Sequence, residues 1–127
     1  MIENPKSKIV LLVEDDKALN RAVTFKLEQK GYTVISTMRG EDALLELKKD
    51  PRVDVVWLDL LLPGMNGIEF LAELRKHEDT KDLKVVICSV SAKADSKERG
   101  ESLGISDYLV KSDYDLETLI SKVTSYA

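Results

Sequence analysis

The feature that most constrains the fold is an alternation of five short apolar stretches with longer amphipathic segments. The stretches are rich in Val, Ile and Leu and apolar almost throughout, as is typical of parallel strands covered on both faces. The predicted strands lie at residues 8–13, 33–37, 53–58, 84–89 and 107–110. Apolar residues recur at the helical period between them, which predicts helices. The predicted helices lie at residues 17–30, 41–49, 68–77, 95–103 and 116–126. Repeated βα units of this size predict an α/β fold with a doubly wound parallel sheet.

Two of the predicted helices show a clear apolar face. The first carries Leu19, Ala22, Val23 and Leu27 on one side, and Gly31 stops it. The last carries three apolar residues at helical spacing, which we expect to be buried: Leu119, Ile120 and Val123.

Length and charge exclude several classes of protein. The 127 residues predict one domain, spanning 1–127. The 23 acidic and 19 basic residues give a net charge of −4, so direct binding of nucleic acid is disfavoured. Apolar runs are too short to cross a membrane, and we expect a cytoplasmic protein. The single cysteine, Cys88, lies in an apolar run and is expected to be a buried, reduced thiol.

Polar side chains follow four of the predicted strands. They are Glu14, Asp15 and Asp16 after the first strand, Asp59 after the third, Ser89 at the end of the fourth and Lys111 after the fifth. In a doubly wound sheet these positions share the edge where ligands bind. Two like charges about 4 Å apart repel by roughly 4 kcal/mol at an effective dielectric near 20, so positive charge is required there. Lys111 supplies one charge, and oxygen-only ligands indicate a hard divalent ion such as Mg²⁺.

Each of these residues also has a simpler interpretation. Asp16 precedes a helix and is best explained as its N-cap. Glu14 and Asp15 would also suit the positive end of that helix, and Asp59 would suit a turn. Only the joint placement of the set favours a functional site.

Four segments together resemble the receiver domain of two-component response regulators over essentially the whole chain. They are the acidic strand end IVLLVEDD at 9–16, the strand and loop VVWLDLLLPGMNG at 55–67, VVICS at 85–89 and DYLVK at 107–111. The resemblance implies a five-stranded, flavodoxin-like (βα)5 fold with strand order 2-1-3-4-5.

The resemblance also implies a chemistry. Asp59 would accept a phosphoryl group from a histidine kinase or phosphotransfer protein. Asp15 and Asp59 would hold Mg²⁺ together with the Leu61 carbonyl, Glu14 would act mostly through water, and Lys111 would pair with a phosphate oxygen.

A switch is implied as well. Ser89 would move toward the new phosphate and Tyr108 would follow, which would alter the face formed by the fourth helix, fifth strand and fifth helix. The expected partners are the kinase and a downstream target or output domain, with the chain a monomer or weak dimer and a signalling protein rather than an enzyme.

Two residues depart from the family pattern. Ser112 follows Lys111 where the family usually has a proline in a cis peptide, which leaves the pose of the lysine open. Val90 stands where small residues are favoured, and we expect it to slow phosphorylation by small donors or hydrolysis. A small Mg²⁺-dependent phosphohydrolase and a degenerate interaction module that works without phosphorylation remain alternatives.

Overall fold

A five-stranded parallel sheet forms the centre of the computed structural model, which describes residues 7–90 and 93–127. The strands are β1 (Ile9–Val13), β2 (Thr33–Thr37), β3 (Val55–Leu58), β4 (Val85–Ser89) and β5 (Asp107–Val110). The helices are α1 (Lys17–Gln29), α2 (Gly40–Lys49), α3 (Gly67–Lys76), α4 (Ala94–Ser102) and α5 (Leu116–Thr124). The strand order β2-β1-β3-β4-β5 confirms the predicted doubly wound, flavodoxin-like fold. Of the helices in these two ranges, none is both long and apolar enough to cross a membrane.

Several element boundaries differ from the prediction by about one or two residues, as is usual for boundaries inferred from sequence. β3 begins at Val55 rather than at 53, and Asp54 just before it bonds to the start of β1: its carboxylate accepts from the Ile9 amide at 2.7 Å, and its own amide donates to the Ile9 carbonyl at 2.8 Å. α5 ends at Thr124 rather than at 126, and the Tyr126 hydroxyl donates to Asp107 Oδ2 at 3.0 Å. α1 ends as expected before Gly31, whose φ of 93° is strained for other residues.

The sheet separates two apolar layers. One side packs on α2 and α3, with Ala43, Leu47, Phe70, Leu71 and Leu74 buried. The other side packs on α1 and α5, where Leu119, Ile120 and Val123 are buried as predicted. Trp57 and Cys88 are fully buried in this second layer.

The inner face of α1 differs from the prediction. Val23 and Leu27 are buried as expected, but Leu19 and Ala22 are only half-buried. The third buried residue of the helix is Asn20. A polar residue therefore occupies part of the interface between α1 and the sheet.

Candidate functional site

The predicted carboxylates meet at the carboxyl ends of two neighbouring strands. Val13 and Leu58 are partners in the register of β1 and β3, and the Asp59 amide donates to the Val13 carbonyl at 3.0 Å. The ends of these two strands therefore bring Glu14, Asp15 and Asp59 close together. One carboxylate oxygen from each lies within 4.8 Å of the others.

Glu14 is the most deeply buried member of the site, with no exposed surface. Its Oε1 lies 2.6 Å from Lys111 Nζ, and its Oε2 accepts a hydrogen bond from the Asp16 amide at 3.2 Å. A buried carboxylate is tolerated when its charge is paired and hydrogen-bonded in this way. Asp15, in contrast, is exposed, so the site is open to solvent on that side.

Lys111 begins a single 3₁₀ turn directly after β5. The described residues contain no cis peptide bond, so the Lys111–Ser112 bond is trans. The side chain nevertheless reaches the site, with Nζ 3.7 Å from Asp59 Oδ2 in addition to its contact with Glu14. Burial alone would lower the pKa of Lys111, but the Glu14 hydrogen bond and the charges of Asp59 and Glu14 outweigh it and raise that pKa.

Asp59 is 4% exposed and lies directly after β3. Its Oδ1 accepts a hydrogen bond from the Leu61 amide at 3.3 Å. Burial and the negative charge of Glu14 raise the pKa of Asp59 to about 7, although Lys111 opposes the shift. The charge of Lys111 is therefore outweighed by burial and by Glu14, and Asp59 is not fully ionised near neutral pH.

The donor set fits a hard divalent cation. Three carboxylates face one ammonium group, so the cluster has an excess of negative charge, and the charge of Glu14 adds to burial in raising the pKa of Asp59. All the donors are oxygen atoms, which Mg²⁺ prefers, and the exposed position of Asp15 leaves room for water ligands. The residues present therefore suit Mg²⁺.

The loop after β3 is built to bring α3 close to Asp59. A Cβ at Gly67 would lie 2.5 Å from the Asp59 carbonyl oxygen and 2.8 Å from Leu60 Cα, so only glycine fits. The Asn66 side chain caps α3 by accepting from the Glu69 amide, and the Glu69 carboxylate accepts in turn from the Asn66 amide. This capping box fixes the start of the helix beside the site.

The residues expected to form the switch lie on the next two strands. Ser89 is buried at the end of β4, the strand beside β3. Tyr108 on β5 is half-buried, is the register partner of Ile87, and packs against the core layer beneath α2 and α3. Val90 and Leu61 are exposed, at 58% and 66%. The structure thus places Ser89 between the strands that carry Asp59 and Tyr108.

Two simpler interpretations are confirmed. Asp16 is the N-cap of α1, since its Oδ1 accepts from the Leu19 amide at 3.1 Å. Cys88 is fully buried, and burial raises the pKa of its thiol. Sequence reasoning missed Asn20, whose amide bonds to the Glu14 carbonyl at 3.0 Å. The sequence did contain a signal: Asn20 is polar but stands at a position of α1 where the helical pattern requires an apolar residue.

Known proteins are similar to this chain in both sequence and fold. Residues 10–124 match the family model of the response regulator receiver domain. The phosphate regulon transcriptional regulatory protein PhoB of Escherichia coli K12 is 32% identical over 102 residues, covering 80% of this chain but 44% of PhoB. The chain thus spans less than half the length of this relative.

Solved structures are also similar to this chain. Chemotaxis protein CheY4 of Vibrio cholerae matches with a TM-score of 0.86 and 27% identity, over 95% of this chain and 99% of CheY4. The Mn²⁺-bound form of response regulator Rcp1 matches with a TM-score of 0.79 and 32% identity, over 93% of this chain and 90% of Rcp1. The chain therefore belongs to the response regulator receiver domain family of two-component signalling.

Proposed function

We propose that the chain is a phosphorylation switch in which Asp59 accepts a phosphoryl group from a sensor histidine kinase or a phosphotransfer protein. The observation that carries this proposal is the buried Asp59 carboxylate, held with Glu14, Asp15 and Lys111 at the ends of adjacent strands. A carboxylate oxygen of Asp59 forms the new bond to phosphorus while the bond from phosphorus to the donor imidazole nitrogen breaks. The donor ring is protonated on its other nitrogen, so the imidazole that keeps the electron pair leaves as a neutral ring carrying that one proton.

A divalent cation belongs to this proposal. The carboxylates of Glu14, Asp15 and Asp59 and the carbonyl of Leu61 would hold Mg²⁺, with Glu14 acting mostly through water. When bound, Mg²⁺ supplies positive charge that offsets the repulsion between the carboxylates and the incoming phosphoryl oxygens. The relative Rcp1 is described as Mn²⁺-bound, which supports a divalent cation here.

The chain's own residues divide the remaining work. Lys111 Nζ, 3.7 Å from Asp59, would pair with an oxygen of the attached phosphoryl group and so be drawn away from Glu14. Ser89 would donate its hydroxyl to another phosphate oxygen. Tyr108 would follow the movement of Ser89, since their strands β4 and β5 are hydrogen-bonded neighbours.

The proposed output is a change in the surface formed by α4, β5 and α5. A downstream protein or an output domain would recognise this surface in the phosphorylated state. In this proposal the chain is a signalling module, present as a monomer or weak dimer, and its chemistry serves to change its own conformation once per phosphoryl group.

The test is to mix the protein with Mg²⁺ and acetyl phosphate and weigh the intact protein. We expect the mass of one phosphoryl group to be added to the wild type and none to Asp59→Asn. Asp79→Asn, which removes an exposed carboxylate between α3 and β4, is the matched control and should be modified like the wild type.

The other outcomes contradict the proposal in different ways. Release of inorganic phosphate in large excess over protein, with no stable adduct, would indicate a phosphohydrolase. The absence of any adduct, with both acetyl phosphate and a phosphohistidine protein as donors, would indicate an interaction module without the chemistry. An adduct that persists in Asp59→Asn would assign the phosphoryl group to another residue.

A further inference from the structure

Asn20 makes an unusually complete set of hydrogen bonds behind the carboxylates. The residue is 6% exposed on the inner face of α1. Its Nδ2 donates to the carbonyl oxygens of Glu14 at 3.0 Å and of Thr37 at 3.2 Å. Its Oδ1 accepts from Ser36 Oγ at 2.6 Å and from Thr24 Oγ1 at 3.4 Å. The orientation of the amide follows from chemistry, because a carbonyl oxygen can pair only with the NH₂ group.

These bonds fix the backbone that carries the first carboxylate. The Glu14 amide donates to the Thr37 carbonyl at 3.1 Å, and the Glu14 carbonyl accepts from Asn20. The Thr37 hydroxyl in turn donates to the Leu12 carbonyl at 2.8 Å. Both peptide groups of Glu14 are therefore held, one by the end of β2 and one by α1.

The position of this network matters because β1 has already ended. After Val13 the chain leaves the ladder, and the next helical residue is Lys17. Between them stand Glu14 and Asp15, the two acidic residues that β1 contributes to the site. Outside a strand or helix, the backbone is restricted only by the separate hydrogen bonds that its peptide groups make with backbone or side-chain partners. Asn20 joins this short connection to two separate elements at once.

We propose that Asn20 is a positioning residue that sets the affinity of the carboxylate site for Mg²⁺. This inference rests on the proposed function, because it takes the cluster of Glu14, Asp15 and Asp59 to be the cation site. Asn20 does not touch the cation in this assignment; it holds the Glu14–Asp15 backbone so that both carboxylates are aimed before the cation arrives. Groups that orient metal ligands typically alter metal affinity by about 10–100-fold when they are removed.

The test replaces Asn20 by Leu, whose side chain branches at the same carbon but has neither a donor nor an acceptor. Mg²⁺ binding is measured by calorimetry on the unphosphorylated protein, and the rate of phosphorylation by acetyl phosphate is measured against Mg²⁺ concentration. We expect the Mg²⁺ dissociation constant and the half-saturating Mg²⁺ concentration to rise about tenfold or more. The rate at saturating Mg²⁺ should change much less, because Asp59 and Lys111 are held by other elements.

Two variants separate positioning from simple loss of stability. Thr80→Val removes a buried hydrogen bond, from Thr80 Oγ1 to the Leu74 carbonyl at 2.7 Å, in the segment between α3 and β4. It should lower the melting temperature without changing Mg²⁺ affinity. Ser36→Ala removes one bond to Asn20 Oδ1 but leaves both Nδ2 bonds, so Mg²⁺ affinity should change less than twofold.

The outcomes are distinct. If Asn20→Leu lowers the melting temperature as Thr80→Val does and leaves the Mg²⁺ dissociation constant unchanged, Asn20 is only structural and the inference is wrong. If Asn20→Leu does not fold, Asn20→Ser, which keeps one short donor, takes its place with the same criterion. If the wild type itself binds no Mg²⁺, the proposed function fails, and this inference fails with it.

Discussion

At the scale of single residues, Asp59 opposes folding near neutral pH. Its pKa of about 7 in the folded protein lies above the ordinary value of 3.8. The folded state therefore binds a proton more tightly than the unfolded state does. The resulting stability is present in full below about pH 4 and is lost as the pH rises through 7.

The variant Asp59→Asn tests this linkage. An amide cannot ionise, so at pH 8, without divalent cations, the variant should gain up to about 4 kcal/mol in free energy of unfolding, which corresponds to about three pKa units. At pH 5 the gain should be smaller, below about 2 kcal/mol, because Asp59 is protonated in the folded state and only the unfolded state has lost its proton. Urea unfolding of the wild type and the variant at pH 5 and pH 8 measures the gain at each pH. Asp42→Asn, which removes an exposed carboxylate, is the control. An equal gain at both pH values would contradict the assigned cause.

The residues of the site differ in how far the sequence predicts them. Glu14, Asp15 and Asp59 follow apolar strands directly, so strand topology alone brings them to one edge. The length of the Lys111 side chain and the turn after β5 decide its contacts, and the sequence left its pose open. Asn20 was not predicted, because a buried amide is acceptable only when its partners are known, and two of them are backbone carbonyls.

At the scale of elements, α4 is the least firmly attached helix. Gly100 is its only buried residue among those described, and the sequence ADSKERGES offers no large apolar side chain. The contacts that hold α4 are near its C-terminal end. A Cβ at Gly100 would meet Ile87 Cδ1 at 2.9 Å, and Arg75 of α3 donates from Nε to the Leu103 carbonyl at 2.7 Å. The first turns of α4 have no comparable anchor in the described residues.

Arg75 binds two loop segments: residues 81–83, which precede β4, and residues 103–104, which follow α4. Besides Leu103, its guanidinium donates to the carbonyls of Gly104 at 3.2 Å, Leu83 at 2.9 Å and Lys81 at 3.0 Å. These contacts join residues from two loops, and amphipathic patterns do not predict them. The helix predicted at 95–103 has a weaker apolar periodicity than the other predicted helices. Its packing against α3 could therefore not be inferred from the sequence.

Replacing Arg75 by Met should loosen the end of α4. Methionine keeps the apolar stem but none of the donors, and each lost bond contributes about 0.5–1.5 kcal/mol. We expect faster amide hydrogen exchange at residues 100–105, with α5 unchanged. Lys76→Met removes a neighbouring exposed charge that pairs with Glu73, and it should not alter exchange there. Equal acceleration in α4 and α5 would show a global loss of stability instead.

At the scale of the whole molecule, the sheet joins the two apolar layers. The two-sided burial and the parallel connections were predictable, because apolar strands alternate with amphipathic helices, whereas the order of the strands followed from the resemblance to receiver domains. Trp57 lies fully buried in the layer under α1 and α5. Because a chain of this size usually unfolds in one step, its emission and the helical circular dichroism should report one transition.

Mg²⁺ should stabilise the whole molecule, and the gain should increase with pH. A cation bound only by the folded state adds about 2.7 kcal/mol at a concentration of 100 times its dissociation constant. Protons compete for Asp59 below its pKa of about 7, so the cation binds less tightly there. The rise in melting temperature caused by Mg²⁺, followed by Trp57 emission, should therefore be larger at pH 8 than at pH 6. KCl at equal ionic strength is the control for screening. In Asp59→Asn the gain should be smaller and nearly independent of pH; a pH-dependent gain that survives in this variant would place the titrating ligand elsewhere.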